Sequence, residues 1–140
     1  MLIGEFRHSV DAKGRANFPA KIREELGDSF YICKGLGDKC LYVYSEEEWA
    51  LLEEKIKSLP VAKSRLLQRF LFSGAMKAIP DKQGRVLIPA NLREFAELEG
   101  EIVVAGAGAR AEIWNANLWD EAQSSITPEL LEETMLELGF

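Results

Sequence analysis

The chain has 140 residues, of which 47% are hydrophobic and 29% are charged. This composition excludes a disordered protein, because there is enough apolar surface to offset the entropy lost on ordering. The net charge of −6 does not exclude a nucleic-acid partner, because DNA binding depends on local basic density. The charged residues Glu5 and Arg7 interrupt the apolar region that an N-terminal signal peptide would need. No apolar run in the chain is long enough to cross a bilayer as a helix. We therefore expect a cytoplasmic protein that does not bind a membrane.

The acidic residues are concentrated toward the C-terminal end. Residues 115–140 contain six acids and no lysine or arginine, so the remainder holds 17 basic and 17 acidic residues. The six acids are Asp120, Glu121, Glu129, Glu132, Glu133 and Glu137. By contrast, the segment 61–79 carries Lys63, Arg65, Arg69 and Lys77 without any acid. The charge pattern predicts a neutral body, a basic central segment and an acidic tail.

The sequence repeats itself at an offset of 70 residues. Seven pairs of identical residues fall within one 14-residue window: Asp11 and Asp81, Gly14 and Gly84, Arg15 and Arg85, Pro19 and Pro89, Ala20 and Ala90, Arg23 and Arg93, Glu24 and Glu94. Trp49 also falls on Trp119 at the same offset. Agreement at a constant offset indicates a duplicated structural unit.

Each copy is predicted to begin with two short strands joined by a turn. The strands cover residues 4–10 and 15–18 in the first copy, and residues 74–79 and 85–88 in the second. The turns read Asp-Ala-Lys-Gly-Arg and Asp-Lys-Gln-Gly-Arg. An aspartate at the start of a turn accepts hydrogen bonds from main-chain N–H groups, and glycine adopts the positive φ that such turns require. Asp11, Gly14, Asp81 and Gly84 are therefore interpreted as turn-shaping residues.

A short helix should follow at Pro19 and at Pro89, because proline is tolerated in the first helical turn. Two further strands around a glycine-containing turn come next in each copy. These strands are residues 30–32 with 41–44, and residues 102–104 with 111–114. The glycine pairs do not complete a G-x-G-x-x-G pattern or open a helix, so a hairpin turn is favoured over a phosphate-binding loop.

Four more helices are predicted over residues 45–59, 61–72, 117–126 and 128–138. The first begins with a capping box, Ser45 followed by Glu48 three residues later. The resulting division is a first repeat over 1–60, a basic linker helix over 61–74, a second repeat over 75–127 and an acidic C-terminal helix over 128–140.

The segment Asp-x-x-Gly-Arg-x-x-x-Pro-Ala-x-x-Arg, present twice, resembles the SpoVT/AbrB superfamily of swapped-hairpin DNA-binding proteins. Two stretches, Gly-Glu-Phe-Arg-His and Gly-Ala-Gly-x-Arg-x-Glu-Ile-Trp, narrow the resemblance to one family of bacterial transcription regulators within it. The resemblance implies an α+β fold in which two tandem modules form a pseudo-two-fold swapped-hairpin β-barrel flanked by helices.

The same resemblance implies a function. It predicts a sequence-specific regulator that binds double-stranded DNA, associates with the nucleoid, and represses the division and cell-wall gene cluster that contains its own gene. It also predicts a homo-oligomeric ring that acts on repeated DNA sites. No cofactor and no small-molecule substrate are expected.

The candidate DNA contacts are the cations in and beside the two turns. Their residues are Arg15 and Arg85 as primary contacts, Lys13 and Lys82 beside them, and Arg7 and Lys77 as flanking phosphate contacts. Several cations on one surface match the charge density of duplex DNA, and arginine can grip phosphate or guanine with two hydrogen bonds. Each turn arginine could also simply pair with its aspartate, which does not exclude DNA contact. Arg23 and Arg93, beside glutamates on the short helices, are interpreted as solvated or packing residues, with DNA contact as the alternative.

Two other classes of protein were weighed. An enzyme is disfavoured because the chain has one histidine, no zinc-ligand cluster, and no nucleophile-elbow or Walker pattern, so neither a catalytic nor a metal site is expected. Cys33 and Cys40 are expected to be buried or half-buried thiols in strands. An antitoxin-type protein, which binds DNA and neutralises a partner protein, remains the alternative because the helical ends leave room for such a partner.

Overall fold

A computed structural model describes all 140 residues as a mixed α and β protein with antiparallel sheets. The elements of the first half are β1 (Glu5–Ser9), β2 (Arg15–Asn17), α1 (Ala20–Leu26), β3 (Phe30–Lys34), β4 (Leu41–Ser45), α2 (Glu46–Lys57) and α3 (Val61–Leu67). Those of the second half are β5 (Met76–Ala78), β6 (Arg85–Leu87), α4 (Ala90–Ala96), β7 (Glu101–Gly106), β8 (Ala111–Asn115), α5 (Ala116–Ser124) and α6 (Pro128–Glu137). A π-helical turn, Gln68–Phe72, continues α3.

The helices begin where the sequence predicts. Helices α1 and α4 start directly after Pro19 and Pro89, whose φ values of −56° and −59° suit entry into a helix. The Ser45 hydroxyl accepts a hydrogen bond of 3.2 Å from the Glu48 N–H, which confirms the predicted cap of α2. The side chain of Asn115 caps α5 in the same manner, so that helix begins slightly earlier than predicted.

The two hairpins within the copies are also as predicted. Strands β3 and β4 pair with each other, and so do β7 and β8. The connections contain Gly37 and Gly108 with φ values of 83° and 85°. Because this left-handed region strains other residues, the glycines serve the turn geometry.

All other strand pairing joins one copy to the other. The six-stranded sheet has the order β1-β7-β8-β4-β3-β5, so the first strand of each copy pairs with a strand of the other copy. The centre of this sheet is the cross-copy pair β4 and β8. Strands β2 and β6 form a separate two-stranded antiparallel ribbon, again with one strand from each copy. Neither copy therefore completes its sheets alone.

The α+β class is as expected, but the strands do not close into the β-barrel that the resemblance implied. Strands β1 and β5 are the two edges of the larger sheet, and the ribbon of β2 and β6 is a second sheet rather than a link between those edges. A barrel requires hydrogen bonding to continue around the full circle, and here it stops at both edges.

The core consists of two apolar clusters, one on each face of the six-stranded sheet. The larger cluster lies between this sheet, the inner side of the ribbon, and helices α1 and α4, and it contains the aromatic pair Phe18 and Phe30 with ring centroids 5.1 Å apart. The smaller cluster lies under α2, α3 and α5. Alternation along β7 serves both clusters, because Ile102 and Val104 belong to the first and Val103 to the second.

Candidate nucleic-acid interface

The first turn is held by one aspartate. The Asp11 Oδ1 accepts hydrogen bonds of 2.9 Å from the main-chain N–H groups of Lys13 and Arg15. Its Oδ2 accepts a hydrogen bond of 2.7 Å from Arg15 Nε. Gly14 closes the turn with a φ of 84°, which glycine adopts without strain. The spacing Asp-x-x-Gly-Arg is therefore what allows one carboxylate to fix both the turn and the arginine.

The second turn has the same geometry. Asp81 Oδ1 accepts from the main-chain N–H groups of Gln83 and Arg85, each at 2.9 Å, and Oδ2 accepts from Arg85 Nε at 2.9 Å. Gly84 has a φ of 81°. The internal repeat in the sequence thus corresponds to two structurally equivalent turns.

The paired aspartates stay ionised. Hydrogen bonds from the Arg15 and Arg85 main-chain N–H groups, followed by those from the arginine side chains, lower the pKa of Asp11 and of Asp81. Each arginine uses only Nε toward its aspartate, so both terminal guanidinium nitrogens remain available as donors. The aspartate orients the arginine and leaves the part of it that grips an anion unoccupied.

The ribbon places both arginines on one exposed face. Arg15 lies directly opposite Leu87, and Asn17 lies directly opposite Arg85. Directly opposed residues and alternate residues of a strand share a face, so these four side chains point the same way. The middle residue of each strand is buried in the core on the other face. Arg15 and Arg85 are diagonal neighbours, about 7–8 Å apart.

The two turns lie at opposite ends of the ribbon. The Gly14 carbonyl accepts a hydrogen bond of 3.0 Å from Ile88 N, and the Gly84 carbonyl accepts one of 2.9 Å from Phe18 N. The three residues of each strand, which make four residue-to-residue steps, separate these ends by roughly 13 Å. The arginines lie between the turns, so the outward face carries cations along its whole length.

Each turn is supported by an arginine from the other copy. A Cβ atom on Gly14 would lie 2.8 Å from Arg93 Cζ, and one on Gly84 would lie 2.7 Å from Arg23 Nε. Each of these arginines also donates from Nε, at 2.9 Å, to the main-chain carbonyl just after β2 or β6. Arg23 and Arg93 are thus packing residues, one of their two predicted roles. In the sequence, the only signal of this contact between copies was that Arg23 and Arg93 are identical at the repeat offset.

The two turn lysines are exposed, but they are not equivalent. Lys13 corresponds to Gln83 at the repeat offset, whereas Lys82 corresponds to Ala12. The ion pairs within the turns join only aspartate to arginine, so both ammonium groups stay available to a ligand. Each turn therefore presents one lysine at a different position.

Arg7 is engaged by carboxylates. On the edge strand β1 it lies 2.7 Å from Asp120, 3.2 Å from Glu101 and 3.7 Å from Glu5. The hydrogen bond to Asp120, followed by that to Glu101, raises the pKa of the Arg7 guanidinium. The structure places Arg7 on β1, opposite Val103 of β7, and outside the β2–β6 ribbon.

Lys77 has a similar setting on the opposite edge strand, β5. Its Nζ lies 3.4 Å from Glu46 Oε1, which also accepts a hydrogen bond of 2.6 Å from the Ser29 hydroxyl. These two contacts, with Ser29 first, lower the pKa of Glu46. Lys77, like Arg7, lies outside the face shared by Arg15 and Arg85.

The last helices of the two copies differ in charge and in packing. Helix α3 and its π-helical turn carry Lys63, Arg65 and Arg69, and they bury Ser64 and Leu71 against the protein. Helix α6 carries only acidic charges and has no buried residue. The acidic tail forms no ion pair with the ribbon: the ion pairs at the turns involve only the turns' own aspartates.

Metal ligands, reactive thiols and membrane-spanning helices were the other features considered in the structure. No group of three or more histidine, cysteine, aspartate or glutamate residues is arranged to hold a metal ion. Cys33 lies in β3 and Cys40 just before β4, both buried as expected, and desolvation raises the pKa of each thiol to about 12. None of the helices combines the length and the apolar character needed to cross a membrane.

The fold and the ribbon define a tandem-repeat α+β protein whose two halves jointly build one cationic surface. The chain belongs to the MraZ family. A family model described as "MraZ protein, putative antitoxin-like" matches residues 1–70 and again residues 71–136. This is the narrower family that the Gly-Glu-Phe-Arg-His and Gly-Ala-Gly-x-Arg-x-Glu-Ile-Trp stretches indicated.

Curated relatives agree over the full length. The chain is 50% identical over 144 aligned positions to "Transcriptional regulator MraZ" of Caldicellulosiruptor saccharolyticus, covering all of both chains. It is 51% identical over 134 positions to the protein of that name from Heliobacterium modesticaldum, covering 94% of this chain and 93% of the relative. It is 50% identical over 142 positions to that of Desulforamulus reducens, covering 99% of each.

Proposed function

We propose that this protein is a non-enzymatic, sequence-specific DNA-binding transcription regulator that contacts DNA through the outward face of the β2–β6 ribbon. The observation that carries the proposal is the pair Arg15 and Arg85, held on one face with their terminal nitrogens unoccupied. A two-stranded ribbon fits the major groove, where arginine recognises guanine with two hydrogen bonds. The relatives' shared name, transcriptional regulator, supports the same function.

The candidate residues are expected to contribute unequally to DNA binding. Arg15 and Arg85 are the primary contacts, and Lys13 and Lys82 bind phosphates at the ends of the ribbon. Arg7 and Lys77 are flanking phosphate contacts, and they reach DNA only by exchanging their present carboxylate partners. Their contribution is therefore the smallest, because DNA must compete with an ion pair already formed.

We further propose that the exchange of β1 and β5 between copies is the single-chain counterpart of the superfamily's swapped hairpins. Its support is the cross-copy pairing of both strands and of the ribbon. In this view one chain supplies the two-fold DNA-binding unit that its relatives would assemble from two chains.

The regulator is proposed to act as a ring of identical subunits on repeated DNA sites. Helix α6 exposes Leu131 and Met135 beside its four glutamates, Leu138 is exposed just after the helix, and none of the three belongs to a core cluster. Helix α3 exposes Leu66 beside basic residues. The opposite charges favour docking of α6 on a neighbour's α3. A head-to-tail contact of this kind gives a ring when the rotation between successive subunits closes, which is the assembly proposed here. Linked copies would raise the effective concentration at repeated sites.

The target proposed from the family resemblance is the division and cell-wall gene cluster that includes the protein's own gene, with repression on the nucleoid in the cytoplasm as the outcome. Footprinting on the DNA upstream of that gene tests this target. A protected, repeated sequence supports it. Equal binding to any DNA of the same length contradicts it.

A titration over a range of salt concentrations tests the mode of contact. The slope of log K against log[salt] should be about −0.9 for each phosphate neutralised. Lys13→Gln should reduce the slope by about one and weaken binding to all sequences alike. A flat salt response means that the cations of the ribbon do not touch DNA.

The second candidate is an antitoxin-type protein that binds DNA and also neutralises a partner protein. It is favoured by the exposed apolar residues of α6 and by the antitoxin-like description of the family model. Isolation of the protein from its host separates the two candidates. A stoichiometric second protein that is released by truncation before α6 supports the antitoxin, whereas self-association through α6 supports the regulator.

A further inference from the structure

Asn17 and Leu87 occupy equivalent places in the two copies but differ in chemistry. They fall on each other at the repeat offset of 70, where the neighbouring arginines are identical. Both lie on the outward face of the β2–β6 ribbon. The outward face of the ribbon thus differs between the copies at these two exposed positions.

Neither side chain serves the fold. Leu87 is 57% exposed although it is apolar, and it belongs to neither core cluster. The Asn17 amide is exposed, and its residue takes part in the ribbon through the strand pairing alone. The buried positions of the ribbon are filled by Ala16 and Val86 instead. The outward face of the ribbon therefore offers an exposed amide and an exposed leucine to a partner outside the chain.

The register gives each arginine a different neighbour. Leu87 lies directly across from Arg15, and Asn17 lies directly across from Arg85. Directly opposed side chains in an antiparallel pair are within about 5 Å of each other at Cβ, so each arginine and its neighbour reach adjacent base pairs. One end of the ribbon therefore offers arginine with leucine, and the other offers arginine with asparagine.

The major groove distinguishes these two ends. Asparagine forms two hydrogen bonds with N6 and N7 of adenine, whereas an apolar side chain contacts the C5-methyl group of thymine. We propose that Asn17 and Leu87 are specificity-determining residues that recognise different bases, so that one chain binds a site without two-fold symmetry. The proposal rests on the DNA-binding function proposed above and gives that function a direction along the duplex.

Selection from a pool of random duplexes tests this inference with symmetrised variants. The wild-type chain should select a guanine at each arginine, an adenine at one end and a thymine at the other. Asn17→Leu should replace the adenine preference by thymine, and Leu87→Asn should do the reverse, so that each variant selects a two-fold symmetric site. Leu36→Asn, at an exposed leucine outside the ribbon, is the matched control and should select the wild-type site.

Modified bases in the selected duplex provide a second measurement. Replacing the thymine by uracil removes only the methyl group, and should weaken wild-type binding about 3- to 10-fold while leaving Leu87→Asn unaffected. Replacing the adenine by 7-deazaadenine removes only the N7 acceptor, and should affect the wild type but not Asn17→Leu. Circular dichroism and thermal unfolding of each variant establish that the fold is retained.

The failures are distinguishable. If the wild type selects no sequence at all, the proposed DNA-binding function fails, and this inference fails with it. If the wild type selects a site that both variants also select, only the assignment of Asn17 and Leu87 is overturned. It is overturned equally if the variants bind every sequence more weakly by the same factor, because the residues then touch the DNA backbone and not the bases.

Discussion

The ribbon and the outer helices show two different outcomes of the same duplication. At the ribbon, the turns have the same hydrogen bonds and φ values of 84° and 81°, and each is supported by an arginine of the other copy. Among the helices, α2 has 12 residues and three acids in its first turn, whereas α5 has nine residues and none there. Helix α3 is basic and packed, whereas α6 is acidic and bare.

The difference shows that the ribbon requires matching geometry from both copies, whereas the outer helices do not. Two antiparallel strands that hydrogen-bond to each other must have matching geometry, so a change in one turn is felt by the other copy through the ribbon and the supporting arginine. The outer helices pack chiefly on their own copy's strands. They reach the other copy through two ion pairs that are not equivalent at the repeat offset, Glu46 with Lys77 and Asp120 with Arg7, so they carry no such reciprocal constraint. Their divergence leaves a basic helix α3 between the two copies and an acidic helix α6 near the C-terminal end, which suits the contact between subunits proposed above.

The largest expected effect contrasts the core with α6. Phe30→Ala removes a fully buried ring that packs on Phe18, and it should lower the free energy of unfolding by about 3–5 kcal/mol. Leu131→Ala, at a half-exposed position of α6, should change the stability of the monomer by less than about 0.5 kcal/mol and weaken self-association instead. Denaturant unfolding and sedimentation measure the two quantities. A large loss of monomer stability in Leu131→Ala contradicts the view of α6 as undocked.

The next prediction tests whether the two copies contribute equally at the ribbon. Arg15→Ala and Arg85→Ala should each reduce affinity for the selected DNA site by about 5- to 150-fold, because each loses a bidentate contact worth about 1–3 kcal/mol. Arg7→Ala, the control, should reduce it only a few-fold, because its guanidinium is already held by three carboxylates. Fluorescence anisotropy at fixed salt measures the affinities, and far-UV spectra check the fold. Parental affinity in Arg15→Ala would refute the proposed interface.

Glycine substitutions compare the turn at Gly14, which packs against Arg93, with the turn at Gly37, which has open space around it. Gly14→Ala should lower the free energy of unfolding by about 1–3 kcal/mol, because alanine strains the positive φ and its Cβ displaces the Arg93 guanidinium. Gly37→Ala has the same φ strain with open space around the new methyl group, so its cost should be smaller. Urea unfolding curves measure both. Equal costs would show that Arg93 gives way freely and does not support the turn.

The smallest expected effect is the pH dependence of the turns. The pKa values of Asp11 and Asp81 are lowered in the folded protein, so their contribution to stability is complete above the ordinary aspartate range and is lost as the pH falls through the lowered pKa. The double variant Asp11→Asn with Asp81→Asn should therefore lose less stability than the wild type between about pH 5 and pH 2. Urea midpoints across this range provide the comparison. Parallel curves for the two proteins would contradict the assigned role of the carboxylates.

The repeat made much of the fold predictable, because local signals fix turns and helix starts. The Asp-x-x-Gly-Arg turns, the helices after Pro19 and Pro89, and the Ser45 cap all depend on residues within a few positions of one another. A repeat identifies equivalent strands, but it does not say which strand pairs with which. The pairing of β1 with β7 and the open edges of the sheet therefore came from the structure.

The candidate site was predictable to the same extent. Arg15 and Arg85 are oriented by aspartates four residues away, which sequence spacing reveals. The partners of Arg7 are not local, since Glu101 and Asp120 are 94 and 113 positions away along the chain. Tertiary partners of this kind leave no periodic signal, so an exposed cation and an engaged one look alike in the sequence.

The partnership of β1 with β7 has a consequence for synthesis on the ribosome. Phe6 pairs opposite Val104, so the first strand to emerge must wait for nearly a hundred further residues. At about 5–20 residues per second, the wait is roughly 5–20 s, during which an unpaired strand edge is accessible to other nascent chains. The N-terminal half thus depends on the nascent chain being finished, and translation speed sets how long that vulnerable interval lasts.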